Sequence, residues 1–242
     1  MPCAEKEEGI FFMNRLITEC NEFIKDCGFP YAFCGGHALE LFLNKKLRSH
    51  SDIDISVFDE DRKSVVEFMM NKGWGIYAHS SNANCLELIT HPDDDKVLSR
   101  HCVWAVKPGC SLLKLTPWSG NINTFEYEIV NKEQINFDFI EIIFNSKEGA
   151  DFICDKDKNI TRKMDKAILY NNDIPYLSPE LMLFIISNPA YMKSDYHKDK
   201  NRIDFNSTAP ELPDENREWL IKALEIAYPG GHERIGALKG YV

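Results

Sequence analysis

The chain begins with alternating helix-like and strand-like segments. Apolar residues recur every three or four positions between residues 5 and 27, a spacing that predicts an amphipathic helix ended by Gly28. The apolar run at 31–34 predicts a first strand, and a second helix is expected over 37–44. Another strand is predicted over 52–58. Helix, strand, helix and strand therefore follow one another in the first quarter of the chain.

The hydrophobic period changes in the middle of the chain. An acidic stretch at 59–61 is expected to open a helix that continues to about residue 72. From there to residue 144, apolar and polar residues alternate with a period of two, which is typical of strands. The strand-like runs are 74–79, 85–90, 101–106, 111–116, 124–130 and 135–144. This order of elements predicts a small sheet of mostly antiparallel strands.

The pattern becomes helical again in the C-terminal part. Ser178 is expected to cap a helix that begins with proline, and two further helical segments are predicted at 197–206 and 214–228. The predicted fold class is α+β, with a mixed sheet backed by helices and followed by a C-terminal helical region. We expect one domain over 1–150 and a mainly helical region over 151–242.

The composition restricts the classes of function. The formal charge of −10 over 242 residues argues against nucleic acid as a partner, because non-specific binding to phosphates needs a cationic surface. The eight cysteines include no Cys-x-x-Cys pair, so free thiols in a reducing cytoplasm are the simplest interpretation. The sequence shows neither a secretory signal pattern nor an apolar run long enough to span a membrane. We therefore expect a cytoplasmic protein with no membrane partner.

Two carboxylates and two glycines form the strongest chemical pattern. Asp52 and Asp54 are separated by one apolar residue, so on a strand they project from the same face. Such a pair repels unless a cation lies between its members, and oxygen ligands of this kind favour Mg²⁺ or Mn²⁺. Upstream, Gly35 and Gly36 form a turn whose backbone N–H groups can approach a polyphosphate. Each feature alone is also typical of an edge strand or an ordinary turn, but the ordered combination favours nucleotide chemistry.

This ordered run resembles the motif of the nucleotidyltransferase superfamily, whose fold is that of DNA polymerase beta. It is most similar to the branch of aminoglycoside and lincosamide nucleotidyltransferases, in which Gly-Gly-x-Ala, a Leu-rich helix, Arg-x-His and Asp-Ile-Asp follow one another. The matching residues here are Gly35, Gly36, Ala38, Arg48, His50, Asp52 and Asp54. In the C-terminal half, the family's Leu-x-Pro-Glu-Leu helix, Lys-Asp-x-x-Asp-Phe motif and terminal Trp-Leu helix have similar segments at 177–181, 198–205 and 219–220. The resemblance covers most of the chain and implies that residues 1–150 form the catalytic domain.

The resemblance also implies a third carboxylate from a neighbouring strand, acting as a metal ligand or as a base. Asp138 has apolar neighbours on both sides, as the motif usually does, whereas Glu141 better fits the distance to the turn at 144–145. The two residues are three positions apart, so on a regular strand they face opposite sides and only one can belong to the site. We favour Asp138 as the metal ligand and keep Glu141 as the alternative catalytic carboxylate.

Four further polar residues are candidates for the site. His37 follows the glycines and is either a phosphate contact or an exposed helix residue. Arg48 is expected to pair with a phosphate or to hold Asp52 in place, and His50 to support the site indirectly. Lys198 is expected to contact the triphosphate or to belong to a solvated basic face.

The resemblance implies transfer of a nucleoside monophosphate, most simply AMP from ATP, to a hydroxyl of a small molecule, with Mg²⁺ or Mn²⁺ as cofactor. An aminoglycoside-like or lincosamide-like acceptor follows from likeness alone, so the acceptor and the nucleotide stay open. The alternatives are toxin-like transfer to a protein or tRNA, and nucleotide binding by a degenerate catalytic set. A homodimer is expected only because dimers are common among soluble proteins.

Overall fold

The computed structural model describes residues 14–81, 84–119, 121–191 and 194–241. The helices are α1 (Arg15–Ile24), α2 (Gly35–Leu43), α3 (Arg62–Asn71), α4 (Asp95–Ser99), α5 (Met164–Ala167), α6 (Pro179–Ile185), α7 (Asp195–Thr208), α8 (Asp214–Ala227) and α9 (Glu233–Lys239). The strands are β1 (Tyr31–Phe33), β2 (Asp54–Phe58), β3 (Gly75–His79), β4 (Cys85–Ile89), β5 (Cys102–Val106), β6 (Leu113–Pro117), β7 (Thr124–Ile129), β8 (Phe139–Glu148), β9 (Asp151–Ile153), β10 (Thr161–Lys163), β11 (Ile168–Asn171) and β12 (Ile174–Leu177).

One mixed sheet organises the molecule. Its strand order is β11-β12-β1-β2-β8-β5-β3-β4-β7-β6, and the β9–β10 hairpin extends β8. The pairs β1–β12 and β2–β8 are parallel, whereas the other neighbours in the sheet run antiparallel. The predicted α+β fold, a mixed sheet backed by helices, is thus confirmed.

The main hydrophobic core joins the N-terminal and C-terminal parts of the chain. Fully buried side chains of the central strands, such as Ile55 and Ile142, belong to the same cluster as Leu181 of α6 and Leu224 of α8. A smaller cluster around Val106 covers another part of the sheet. Because burial of apolar surface is the main favourable term in folding, the C-terminal helices contribute to the stability of the central sheet.

The N-terminal elements agree with the predicted order but differ at their ends. Of the helix predicted over 5–27, the described part is Arg15–Ile24, and the Asn14 side chain caps it by accepting from Leu16 N–H; residues 5–13 lie outside the described residues. Asp52 precedes β2 instead of opening it. The strand predicted over 135–144 begins later, at Phe139, because the Gln134 side chain donates to the carbonyls of Asn136 and Phe139 and holds a turn there.

The prediction of a mainly helical region from residue 151 is wrong for its first part. Four short strands occupy this segment, and β12 lies beside β1 in the central sheet. The β11–β12 hairpin turns through Asn172 and Asp173, both with positive φ. Such a two-residue turn is a hairpin signal, and strands of three or four residues are too short to show a hydrophobic period. Helices predominate only from Pro179 onward.

Within the described residues, no helix combines the length and the apolar character needed to cross a membrane.

Candidate active site

Three carboxylates meet where two parallel strands lie side by side. Asp54 opens β2 and is paired in register with Glu141 of β8, and Asp52 lies two residues before Asp54. Asp52, Asp54 and Glu141 each offer an oxygen within 4.8 Å of the others. Residues paired in register on parallel strands point to the same face of the sheet, so the fold brings Glu141 to the two aspartates. The arrangement is a candidate binding site for a divalent cation.

The electrostatics of this cluster are those of an uncompensated group of like charges. Burial, followed by repulsion from Asp52 and Glu141, raises the pKa of Asp54 well above its ordinary value. Burial and the nearby Asp52 also raise the pKa of Glu141. A cation placed among them would reverse these shifts, since an opposite charge favours the ionised carboxylate. Lys200 is a protein cation that acts on both groups in this direction.

The glycine pair is required by close packing as well as by backbone conformation. Gly35 has φ of +64°, and a Cβ there would overlap the Asp54 carboxylate. A Cβ at Gly36 would overlap the Arg48 guanidinium and the His50 ring. The two glycines therefore let the start of α2 lie directly against the acidic cluster, where its backbone is available to a ligand.

A cleft of about 380 Å³ opens beside the carboxylates. One end is polar and includes Gly35, the three carboxylates and Lys200. The remaining wall is largely apolar and aromatic, from β9, α6 and the C-terminal part; it includes Phe152, Leu177, Met182, Phe184, Ile185, Tyr191 and Tyr228. A polar end for phosphates and metal and an apolar wall for a ring system are typical of small-molecule sites.

Lys200 is the functional candidate that the sequence reasoning missed. It lines the cleft, whereas the predicted Lys198 is exposed and pairs with Asp195 of its own helix at 3.1 Å. The motif Lys-Asp-x-x-Asp-Phe spans six residues, and Lys200 to Phe205 fits this length if Asn201 replaces the first aspartate. The wider match to 198–205 has two residues too many, so spacing was the signal that would have indicated Lys200.

Arg48 joins the segment before the acidic strand to α7. Its Nε and Nη2 donate to the two carboxylate oxygens of Asp204 at 2.8 and 2.9 Å, and Asp204 is almost fully buried. The structure therefore pairs Arg48 with Asp204 and not with Asp52, and a contact of Arg48 with a phosphate stays a prediction. Asp204 lies one helical turn after Lys200, so both residues are on the same face of α7. The bidentate Arg48–Asp204 pair therefore holds this face, with Lys200, toward the carboxylates.

The two histidines lie behind the glycine turn. His37 is 3% exposed, so the prediction of an exposed helix residue is wrong, and it does not line the large cleft. Its ring packs on His50 with centroids 3.9 Å apart. Burial lowers the pKa of His37 to about 4, which keeps the ring neutral at physiological pH. The indirect role expected for His50 stays a prediction.

The third carboxylate of the cluster is Glu141. The prediction that Asp138 lies beside Asp52 and Asp54 is wrong. Asp138 precedes β8, where one carboxylate oxygen accepts from the backbone N–H and the hydroxyl of Ser111, both at 2.7 Å. Its other oxygen lies 3.5 Å from the Cys110 thiol. These bonds hold Asp138, just before β8, against the turn between β5 and β6, which contains Cys110 and Ser111.

Comparison with known proteins gives structural neighbours only. No protein-family model and no curated protein matches the chain. The antibiotic-resistance factor ANT(2'')-Ia, in a solution structure, aligns with 14% identity and a TM-score of 0.46 over 93% of this chain and 94% of its own. The lincosamide antibiotic adenylyltransferase LnuA, with lincomycin bound, aligns with 14% identity and a TM-score of 0.45 over 79% of this chain and 96% of its own.

A crystal structure of ANT(2'')-Ia in complex with adenylyl-2''-tobramycin aligns with 10% identity and a TM-score of 0.45, over 87% of this chain and 97% of its own. At such identities and TM-scores these neighbours assign no role to any residue of this chain, and the chemistry has to follow from the carboxylate cluster and its cleft.

Proposed function

We propose that this chain is a metal-dependent nucleotidyltransferase that moves a nucleoside monophosphate, most simply AMP from ATP, to a hydroxyl of a small molecule. The observation that carries the proposal is the meeting of Asp52, Asp54 and Glu141 at one end of the cleft, directly beside the Gly35 turn. The hypothesis of a degenerate site predicted that no third carboxylate would reach the aspartates. Glu141 does so, which favours a catalytic set.

The carboxylates fit a hard divalent cation. All three offer oxygen, the donor that Mg²⁺ and Mn²⁺ prefer. Burial and repulsion between the carboxylates raise the pKa of Asp54 and Glu141, and a bound cation would offset both effects. Asp52 and Asp54 would hold the metal. When bound, such a cation neutralises charge on the phosphoryl oxygens and on the leaving pyrophosphate.

The remaining steps belong to the residues of the chain. Lys200 pairs with a phosphate of the bound triphosphate, and the start of α2 presents backbone N–H groups to it. The acceptor hydroxyl attacks the α-phosphorus, its O–H bond breaks, and the bond from the α-phosphorus to the bridging oxygen breaks as pyrophosphate leaves. Glu141 takes the hydroxyl proton, because it lies beside the two aspartates that would hold the metal and lines the same cleft.

The cleft supports a small acceptor over a nucleic acid. Among the described residues that line it, Lys156 and Lys200 stand against four carboxylates, Asp52, Asp54, Glu141 and Asp155. A site for tRNA would need a cationic track for the phosphates. The acidic and aromatic lining suits a neutral or cationic compound with a ring system, and an antibiotic of aminoglycoside or lincosamide type belongs to this class.

A screen of labelled ATP, GTP, CTP and UTP against hydroxyl-bearing small molecules, with Mg²⁺ or Mn²⁺, tests the proposal. We expect transfer of the labelled monophosphate and release of pyrophosphate, both abolished in Asp52→Asn and Asp54→Asn variants that keep their fold. Transfer at the wild-type rate in either variant would show that the site is assigned wrongly. Labelling of tRNA or protein in place of every small molecule would overturn the acceptor class.

A further inference from the structure

A second cluster of metal-ligating side chains lies behind the glycine turn. His37 and Glu40 lie on successive turns of α2, and His50 comes from the segment that leads to the acidic strand. Each of the three offers one ligand atom within 4.8 Å of the others. The cluster consists of two imidazoles and one carboxylate, whereas the active-site cluster consists of carboxylates alone.

Several polar atoms of this cluster are buried and have no hydrogen-bond partner. Both ring nitrogens of His37 and the Oε2 of Glu40 find no hydrogen-bond partner among the described residues. The Oε1 of Glu40 is already used, because it accepts from the backbone N–H groups of Leu47 and Arg48. Unpaired buried polar atoms are rare in folded proteins, and each indicates a missing ligand or a functional role.

One donor distance is close to that between two ligands of one ion, and the three side chains lie within reach of one another. His37 Nδ1 is 3.6 Å from the unpaired Glu40 Oε2, and His50 Nε2 is 2.9 Å from the other oxygen of the same carboxylate, Oε1. Ligands at about 2.0 Å from a tetrahedral zinc ion lie roughly 3.3 Å apart. Two histidines and a glutamate are also a ligand set that zinc uses with one position left open.

A small cavity provides room for the open position. It has a volume of about 150 Å³ and is lined by His37, His50 and Asp52, together with Gln134. The local charges are compatible with a dication: Glu40, Asp52 and Glu133 supply negative charge against Lys46, and the charge of Arg48 is paired with Asp204.

We propose that His37, Glu40 and His50 bind a transition-metal ion of the zinc class, at a site separate from the carboxylate cluster. The ion ties the first turn of α2 to the segment before β2. It thereby holds the glycine turn in place between two metal sites of different chemistry, a nitrogen-rich one behind it and an oxygen-only one in front.

Cobalt provides a direct test, because four-coordinate Co²⁺ with nitrogen ligands absorbs visible light strongly, whereas six-coordinate Co²⁺ among oxygens absorbs weakly. The full-length protein is stripped with a chelator and titrated with Co²⁺ in excess Mg²⁺, which competes for the carboxylates. We expect strong absorption that saturates at one ion per chain and is displaced by Zn²⁺. His37→Ala and Glu40→Gln should lose it, whereas Asp54→Asn and the exposed control His91→Ala should keep it.

A second measurement needs no variant at these buried positions. In the wild-type protein, Zn²⁺ should shift the imidazole resonances of two histidines and raise the thermal unfolding midpoint, and it should do so equally in Asp54→Asn. The proposal fails if wild-type protein shows no strong Co²⁺ absorption, or if the absorption is lost in Asp54→Asn and survives in folded His37→Ala. It also fails if no histidine resonance responds to Zn²⁺, because the cluster would then be a buried polar triad without a metal.

Discussion

Asp54 and Glu141 lie directly opposite each other on the parallel strands β2 and β8. They are 87 positions apart in the sequence, and only the pairing of these two strands makes them neighbours. The same register leaves Asp138 before the start of β8, bonded to Ser111. The two carboxylates that the sequence left as alternatives therefore lie in different surroundings, and variants can test whether their tasks differ.

Replacement of Glu141 by Gln should reduce the rate of transfer without preventing triphosphate binding. A general base contributes about 10²- to 10⁴-fold, so kcat should fall by that order while the Kd for ATP with Mg²⁺ changes little. Asp138→Asn is the matched control, and it should keep the wild-type rate but lose about 1–3 kcal/mol of stability through the bonds to Ser111. Equal losses of kcat in the two variants would contradict the assignment.

Replacement of Lys200 by Met should weaken binding of the triphosphate. Removal of its charge takes a protein cation away from the phosphates and raises the pKa of Asp54 and Glu141 further, since Lys200 lowers both. We expect at least a tenfold increase in KM for the nucleotide. Lys198→Met, two positions away and exposed, is the control and should leave KM unchanged. A raised KM in Lys198→Met and an unchanged KM in Lys200→Met would show that Lys198 contacts the triphosphate.

Breaking the Arg48–Asp204 pair should destabilise the protein and displace Lys200. Removal of one partner of a buried ion pair typically costs about 3–5 kcal/mol, because the other charge stays buried and unpaired. Asp204→Asn should therefore lower the free energy of unfolding in urea and raise KM for the nucleotide. The double variant Arg48→Met with Asp204→Leu should recover much of the stability but not the KM. Recovery of both would show that the pair has no positioning role.

Gly35→Ala should cost activity beyond its cost in backbone strain. The positive φ alone destabilises alanine by roughly 1–2 kcal/mol, and the added Cβ must also displace the Asp54 carboxylate. Gly28→Ala separates the two effects, because Gly28 also has a positive φ, of +82°, but open space around it. Both variants should lose stability, and only Gly35→Ala should lose metal-dependent activity. Full activity in a folded Gly35→Ala protein would contradict the close contact.

The stability of the chelated protein should fall as the pH drops from 6.5 toward 4. Burial lowers the pKa of His37 from 6.5 to about 4. Between these pH values the imidazole takes up a proton in the unfolded chain but not in the folded one, so the free energy of unfolding falls by up to about 3 kcal/mol. The groups around His37 are Glu40, His50 and Asp52. Burial acts to raise the pKa of Glu40, but the nearby rings of His37 and His50 hold it below its ordinary 4.5. The contribution of Glu40 is therefore lost at lower pH still.

Urea unfolding at several pH values checks this expectation. The His37→Gln variant, which cannot take up the proton, should show a flatter dependence on pH between 6.5 and 4 than the wild type. Identical slopes in the two proteins would show that the buried ring does not resist protonation.

The sequence predicted local features well and contacts between distant segments poorly. The same-face relation of Asp52 and Asp54 and the glycine turn follow from spacing alone, and both are present in the structure. The choice between Asp138 and Glu141 depends on the register of β2 against β8, which no local pattern encodes. The Arg48–Asp204 pair joins residues 156 positions apart for the same reason.

The short strands after residue 150 show another limit. A strand of three or four residues contains at most two full alternations. The apolar segment Ile174–Leu177, buried on both faces, therefore resembles the start of the helix that follows. Its place beside β1 depends on tertiary packing.

Calorimetric titration of ATP into the protein, with and without Mg²⁺, tests the central claim most directly because it requires no knowledge of the acceptor. The account predicts saturable, Mg²⁺-dependent binding of one ATP per wild-type chain, lost in Asp54→Asn and retained in Asp138→Asn. Absence of metal-dependent binding in the wild-type protein, or equal binding in Asp54→Asn, would contradict the claim that these carboxylates form a metal–nucleotide site.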